Sequence, residues 1–189
     1  MTGKRYIIFD LDGTLVDSFA TVVNACKQVL AERHADLPDD TYFASYRCKD
    51  METMFAELAA RAEMPIDDFR EAYDNHYAAD CLTGTMPIEK TLALLTEAKQ
   101  QGTGSIVITN KKQQLAERVC SEILGPDTVD IIIGRLDAWP IKPRHVLHDR
   151  LGTYGIHPSA DCISYYGDSD TDYKTAKLLN VQYFNIKLC

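Results

Sequence analysis

Short apolar runs, typical of strands buried on both faces, recur through the second half of the chain and once near its beginning. They lie at residues 6–9, 105–109, 129–133 and 162–166, with a last one near 182–186. Between the later runs the apolar positions follow helical spacing, which predicts helices near 88–101, 113–124, 144–154 and 173–179. Strands that alternate with helices indicate a parallel sheet with right-handed crossovers.

The segment from about residue 17 to 80 has a different pattern. It contains no convincing strand, and its apolar residues fall at helical spacing in three stretches. The clearest positions are Val22, Val23, Cys26, Val29 and Leu30, then Met51, Met54, Phe55 and Leu58, then Phe69, Tyr73 and Tyr77. We therefore expect three or four helices inserted after the first strand, with apolar faces that form their own core.

Polar side chains that could take part in catalysis or ligand binding follow three of the predicted strands. They are Asp10 and Asp12, Thr109 and Asn110, and Asp168 and Asp172. The carboxyl ends of parallel strands lie at one edge of a sheet, which is where open α/β sheets form their ligand crevice. The sequence thus predicts that these residues meet in one site.

Several carboxylates in one crevice repel each other. Two like charges ~4 Å apart repel by about 4 kcal/mol at an effective dielectric near 20. Either some of these acids are protonated or the site binds a cation. Carboxylate oxygens without a nearby His or Cys favour Mg²⁺ over zinc.

Composition and charge limit the classes of binding partner and the cellular compartment that we expect for this protein. The formal charge of −8, without basic runs, argues against nucleic acid or an anionic membrane as a partner. The six cysteines form no Cys-x-x-Cys pair, so we expect reduced thiols. The first strand begins too early to leave room for a signal peptide, and no apolar stretch is long enough to span a bilayer. We expect a cytoplasmic protein; no pattern indicates an oligomeric state.

Four motifs, in order along the chain, resemble those of the haloacid dehalogenase-like hydrolases. They are Asp10-x-Asp12-Gly13-Thr14, the strand-ending Thr109, Lys142 in Ile-Lys-Pro, and Gly167-Asp168-x-x-x-Asp172. The resemblance extends over essentially the whole chain, and the string Ile108-Thr109-Asn110-Lys111 is similar to the phosphoglycolate phosphatase branch. One position departs from the family, because His145 stands where a second proline is usual.

The resemblance implies the architecture. It is an α/β fold with a Rossmann-like three-layer core around a parallel sheet, formed by residues 1–16 and 83–189. Residues 17–82 would form an inserted α-helical cap domain.

The resemblance also implies a phosphatase mechanism. Asp10 would attack phosphorus and form an aspartyl-phosphate, while Asp12 would serve as general acid and then as general base. Mg²⁺ would be held by Asp10, by Asp12 through its backbone carbonyl and by Asp168, with Asp172 as an indirect or water-mediated ligand. The phosphate oxygens would be held by Thr109, by a backbone N–H near Asn110 and by Lys142.

The implied substrate is a small phosphorylated metabolite, namely a phosphate monoester similar to phosphoglycolate or a sugar phosphate. Arg47 and Lys49, between two helices of the insertion, are candidates for contacting its leaving group. Two alternatives stay open, a phosphomutase on the same scaffold and a non-catalytic phosphate-binding regulatory module. A dehalogenase is disfavoured because that branch lacks the second aspartate, which Asp12 supplies here.

Overall fold

A computed structural model describes residues 4–47, 51–136 and 140–186 of the chain. These residues form two compact units. One unit contains the described residues up to Asp17 together with those from Met86 onward, and the other spans Ser18–Thr85.

The first unit is built on a parallel sheet of five strands. In chain order they are β1 (Tyr6–Phe9), β4 (Gly104–Lys112), β5 (Ile131–Arg135), β6 (Cys162–Gly167) and β7 (Gln182–Asn185). Their spatial order is β5-β4-β1-β6-β7, with every neighbouring pair parallel. The strand order changes direction at β1, so the loops after β1 and its neighbours diverge and leave a crevice at their carboxyl ends.

Helices flank this sheet. They are α5 (Glu89–Gln100), α6 (Gln113–Val119), α7 (Val146–Gly152), the single turn α8 (Pro158–Asp161) and α9 (Asp170–Leu179), with a π-helical turn at Cys120–Leu124. Apolar residues of β1, β4, β5 and β6 pack against α7 and α9, including Ile8, Ile106, Ile133, Leu147 and Leu179. The predicted α/β class with a parallel sheet is confirmed.

Two details of the strands in this unit differ from the predicted pattern. Strand β5 begins at Ile131 rather than at residue 129, because Asp130 and Ser105 exchange side-chain to backbone hydrogen bonds where the ladder would otherwise start. A small antiparallel pair, β2 (Val16–Asp17) with β3 (Met86–Pro87), was not predicted. Two-residue strands are too short to show a periodicity.

The second unit is helical. It contains α1 (Phe19–Glu32), α2 (Asp40–Ala44), α3 (Met51–Arg61) and α4 (Ile66–Asp80). Its core is formed by apolar residues such as Leu30, Met54, Leu58, Phe69 and Tyr77, which are all buried. Among the helices of the described ranges, none combines the length and apolarity that crossing a membrane would need.

Candidate active site

The loop after β1 brings backbone into close contact with a carboxylate. The turn is tight, because the N–H groups of Leu15 and Val16 both donate to the carbonyl of Leu11. Gly13 adopts a φ of +81°, which favours glycine, and a Cβ on it would lie 2.3 Å from Oδ2 of Asp168. The glycine therefore allows the backbone beside Asp12 to approach Asp168.

Three acids converge at the carboxyl ends of β1 and β6. Asp10, Asp168 and Asp172 each present a carboxylate oxygen, and these oxygens all lie within 4.8 Å of one another. Asp10 and Asp172 are buried, whereas Asp168 is partly exposed. The structure thus brings together three of the acids that the sequence predicts to meet.

Lys142 lies between two of these acids. Its Nζ donates to Oδ1 of Asp10 at 2.6 Å and to Oδ1 of Asp172 at 2.7 Å, and the side chain is buried. Burial alone would lower the pKa of Lys142, but the two carboxylates raise it well above its usual range. The lysine therefore stays a cation and offsets part of the repulsion between the acids.

Asp172 is the most completely bonded of the three carboxylates. Its Oδ1 accepts from Lys142 and, at 3.1 Å, from the hydroxyl of Tyr165. Its Oδ2 accepts from the hydroxyl of Ser169 at 2.6 Å and from the backbone N–H of Ser169 at 3.2 Å. Burial alone would raise the pKa of Asp172, but these donors, Lys142 first, lower it below its ordinary value.

Asp10 and Asp168 have the opposite electrostatic balance. Burial first, and then the charge of Asp172, raise the pKa of Asp10 well above its ordinary value. The same two causes raise the pKa of Asp168 to about 6. The site therefore holds more negative charge than Lys142 compensates, which favours either a proton or a metal cation.

The last part of β4, where its pairing with β5 becomes irregular after Ile108, supplies a hydroxyl and an amide. The buried Thr109 accepts a hydrogen bond at its Oγ1 from the N–H of Lys111 at 3.2 Å, so its own hydroxyl hydrogen can be donated to a ligand. The side chain of Asn110 accepts from the backbone N–H of Lys142 at 2.8 Å. The carbonyl of Asn110 accepts from Nε of the buried Arg135 at 2.9 Å. Asn110 thus links this end of β4 to the backbone that carries Lys142.

A contact between Lys111 and Asp12 was not predicted. Nζ of Lys111 lies 3.0 Å from Oδ1 of Asp12, and the lysine side chain is only 6% exposed while that of Asp12 is 32% exposed. Lys111 belongs to the string that resembles the phosphatase branch, but spacing gives no sign of which acid it pairs with. The role of Ser169 could have been found from Ser-x-x-Asp before a helix, which is the pattern of a capping box.

Two predicted contact residues belong to the helical insertion. The guanidinium carbon of Arg47 lies 4.6 Å from the ring centre of Phe19. Lys49 lies outside the described residues. The expectation that these two residues contact a leaving group stays a prediction.

The residues at this site fit Mg²⁺. Carboxylate oxygens are the ligands that this hard cation prefers, and three are close enough to share one ion. Because Gly13 has no Cβ, the backbone that follows Asp12 also lies close to the carboxylate of Asp168. Because both oxygens of Asp172 are engaged by other donors, Asp10 and Asp168 are the better candidates for direct ligands.

Comparison with known proteins gives a family. The family model described as haloacid dehalogenase-like hydrolase matches residues 7–186. A phosphoglycolate phosphatase from Pectobacterium atrosepticum is 26% identical over an alignment of 183 residues, and the match covers 94% of this chain and 77% of that protein. A phosphoglycolate phosphatase from Rhodospirillum rubrum is 30% identical over 187 residues, again covering 94% of this chain and 77% of the relative.

Solved structures agree in fold. A haloacid dehalogenase-like hydrolase from Streptococcus pneumoniae superposes with a TM-score of 0.80 at 24% identity, covering 99% of this chain and 86% of the other. The family match spans all four motifs, from the loop after β1 to the loop after β6. The chain therefore belongs to the haloacid dehalogenase-like hydrolases and is a phosphoric monoester hydrolase of that type.

Proposed function

We propose that this protein is a magnesium-dependent phosphatase that hydrolyses a small phosphate monoester, such as phosphoglycolate or a sugar phosphate, through an aspartyl-phosphate on Asp10. The observation that carries the proposal is the contact of the Lys142 ammonium with Asp10, at 2.6 Å, beside the carboxylates of Asp168 and Asp172. The names of the curated relatives support phosphoglycolate as the first substrate to test.

The first chemical step would form a bond between a carboxylate oxygen of Asp10 and phosphorus, while the ester bond to the leaving oxygen breaks. Lys142 supports this step because its ammonium holds the nucleophile and can neutralise a phosphate oxygen. Thr109 can donate its hydroxyl hydrogen to another phosphate oxygen. Together these donors would stabilise the charge that develops in phosphoryl transfer.

Asp12 would act as the general acid and then as the general base. It would give a proton to the leaving alkoxide, then take one from the water that attacks the aspartyl-phosphate, which releases phosphate and restores the Asp10 carboxylate. Such general acid and base assistance is typically worth ~10²–10⁴-fold. The partial exposure of Asp12 and its contact with Lys111 are compatible with an acid at the rim of the site.

Mg²⁺ would be held by Asp10 and Asp168, with the Asp12 carbonyl as a further oxygen donor and Asp172 acting indirectly. When bound, the ion reduces the repulsion between the nucleophile and the phosphate and polarises the phosphoryl group. We also propose that the helical insertion acts as a cap and that Arg47 and Lys49 in it contact the leaving group.

The test is release of inorganic phosphate from phosphoglycolate, sugar phosphates and pyrophosphate, with and without Mg²⁺. We expect magnesium-dependent release that Asp10→Asn abolishes while the variant still folds. Asp170→Asn is the matched control, because Asp170 is an exposed acid next to the site. Wild-type turnover in Asp10→Asn would exclude Asp10 as the nucleophile. An isomerised phosphate ester seen by phosphorus NMR would indicate a mutase instead of a phosphatase.

A further inference from the structure

The hydroxyl of Tyr165 is a buried polar group that the chemistry above does not use. Tyr165 lies in β6, is fully buried, and pairs in register with Ile8 of β1 and Tyr183 of β7. Its hydroxyl donates to Oδ1 of Asp172 at 3.1 Å. Burial first, and also the charge of Asp172, keep the pKa of Tyr165 well above its ordinary value, so the hydroxyl stays a donor.

This hydrogen bond ends on the same oxygen that holds the lysine. Oδ1 of Asp172 accepts from Nζ of Lys142 at 2.7 Å, and the same Nζ donates to Asp10 at 2.6 Å. The other oxygen of Asp172 is bonded to the hydroxyl and the N–H of Ser169. A carboxylate with this many donors has little freedom to rotate, and its charge is shared among them.

We propose that Tyr165 is a positioning residue for the phosphoryl transfer, and that its hydroxyl, acting through Asp172, fixes the Lys142 ammonium against the nucleophilic oxygen of Asp10. The inference rests on the proposed function. Tyr165 shares Oδ1 of Asp172 with the lysine, so it limits how far the lysine is drawn toward that carboxylate. Without the hydroxyl, Lys142 would move toward Asp172 and away from Asp10 and the phosphate.

Tyr165→Phe isolates this effect because it keeps the ring in the core and removes one oxygen. Tyr183→Phe is the matched control. The hydroxyl of Tyr183 donates to the carbonyl of Gly167 at 2.9 Å, at the end of β6, and lies 3.4 Å from the carbonyl of Ser169 in the loop that follows, but it makes no hydrogen bond with Asp172 or Lys142. General loosening of the loop would affect both variants, whereas loss of lysine positioning would affect only Tyr165→Phe.

The experiment measures steady-state kinetics at saturating Mg²⁺ and inhibition by inorganic phosphate. We expect Tyr165→Phe to lower kcat/KM about tenfold, or about 1.4 kcal/mol, and to weaken phosphate inhibition, with a small lowering of the urea midpoint from the lost buried hydrogen bond. Tyr183→Phe should stay within about twofold of the wild type in both measurements. In the Asp172→Asn background, the tyrosine substitution should change kcat/KM by less than about twofold, because the route runs through Asp172.

Three outcomes would overturn the proposal. They are wild-type kinetics in Tyr165→Phe, an equal loss in Tyr183→Phe, or the full tenfold loss persisting in the Asp172→Asn background. If the wild type hydrolyses no ester, the proposed function fails on its own. The magnesium-dependent affinity of the two tyrosine variants for inorganic phosphate then decides the positioning role: weaker binding by Tyr165→Phe alone supports it, and equal binding refutes it.

Discussion

Asp168 should destabilise the protein at neutral pH when no divalent cation is bound. Its pKa is raised from 3.8 to about 6, first by burial and then by the charge of Asp172. A raised carboxyl pKa means that the folded state binds the proton more tightly than the unfolded state does. Stability is therefore retained below pH 3.8, lost progressively as the pH rises through 6, and reduced by the full amount above that.

The size of the effect follows from the shift. About two pKa units at 1.36 kcal/mol each give about 3 kcal/mol at neutral pH, and roughly half of that near pH 5. Asp168 is partly exposed, so solvent screening reduces the value, and we expect about 1–3 kcal/mol. Asp168→Asn, which keeps the shape and removes the charge, should therefore be more stable than the wild type in the presence of a chelator.

Urea unfolding at about pH 5 and about pH 7.5, with chelator or with Mg²⁺, measures this difference. In chelator the gain of Asp168→Asn should be larger at the higher pH. With Mg²⁺ the order should reverse, because only the wild type binds the ion tightly and gains stability from it. Asp170→Asn, an exposed acid in the first turn of α9, should change stability by less than about 1 kcal/mol. If Asp168→Asn is less stable than the wild type in chelator at neutral pH, the reasoning is refuted.

Three further expectations concern other parts of the molecule. Gly13→Ala should abolish magnesium-dependent phosphate release and lower the urea midpoint. The added Cβ would lie 2.3 Å from Oδ2 of Asp168, and the φ of +81° at residue 13 is strained for alanine. Wild-type turnover in this variant would contradict the close approach. Lys111→Met should lower kcat at least about fivefold, because it removes the 3.0 Å contact that orients the carboxylate of the proposed acid and base Asp12. An unchanged kcat would contradict that positioning role. Thiol labelling of the native protein at mildly alkaline pH should spare the four cysteines that are buried within the described part of the chain, and rapid native labelling of any of them would contradict their burial. Those cysteines are Cys26, Cys81, Cys120 and Cys162.

The sheet could be predicted from sequence because its strands are apolar. Buried parallel strands appear as continuous runs such as Ile106–Ile108, and the helices between them impose the crossover order. The limits of individual strands could not be predicted where side chains replace backbone pairing. Ser105 and Asp130 do this at the start of β5, and no periodicity indicates such an exchange.

The site was predictable to the level of which strand ends meet, and no further. Asp10, Asp168 and Asp172 follow adjacent strands, so the topology alone brings them together. Which atom bonds to which depends on rotamers set by separate loops. The contact of Tyr165 with Asp172 and that of Lys111 with Asp12 are therefore visible only in the structure.

Asp172 belongs both to a helix start and to the charge network of the site. With Ser169 it forms the capping box of α9, and with Lys142 it forms a buried ion pair. Fraying of the first turn of α9 would leave Lys142 with a weakened partner in a dry environment, which is strongly unfavourable. Phosphoryl-transfer competence should therefore appear in one cooperative step with the folding of β6 and α9, although the nucleophile lies near the other end of the chain.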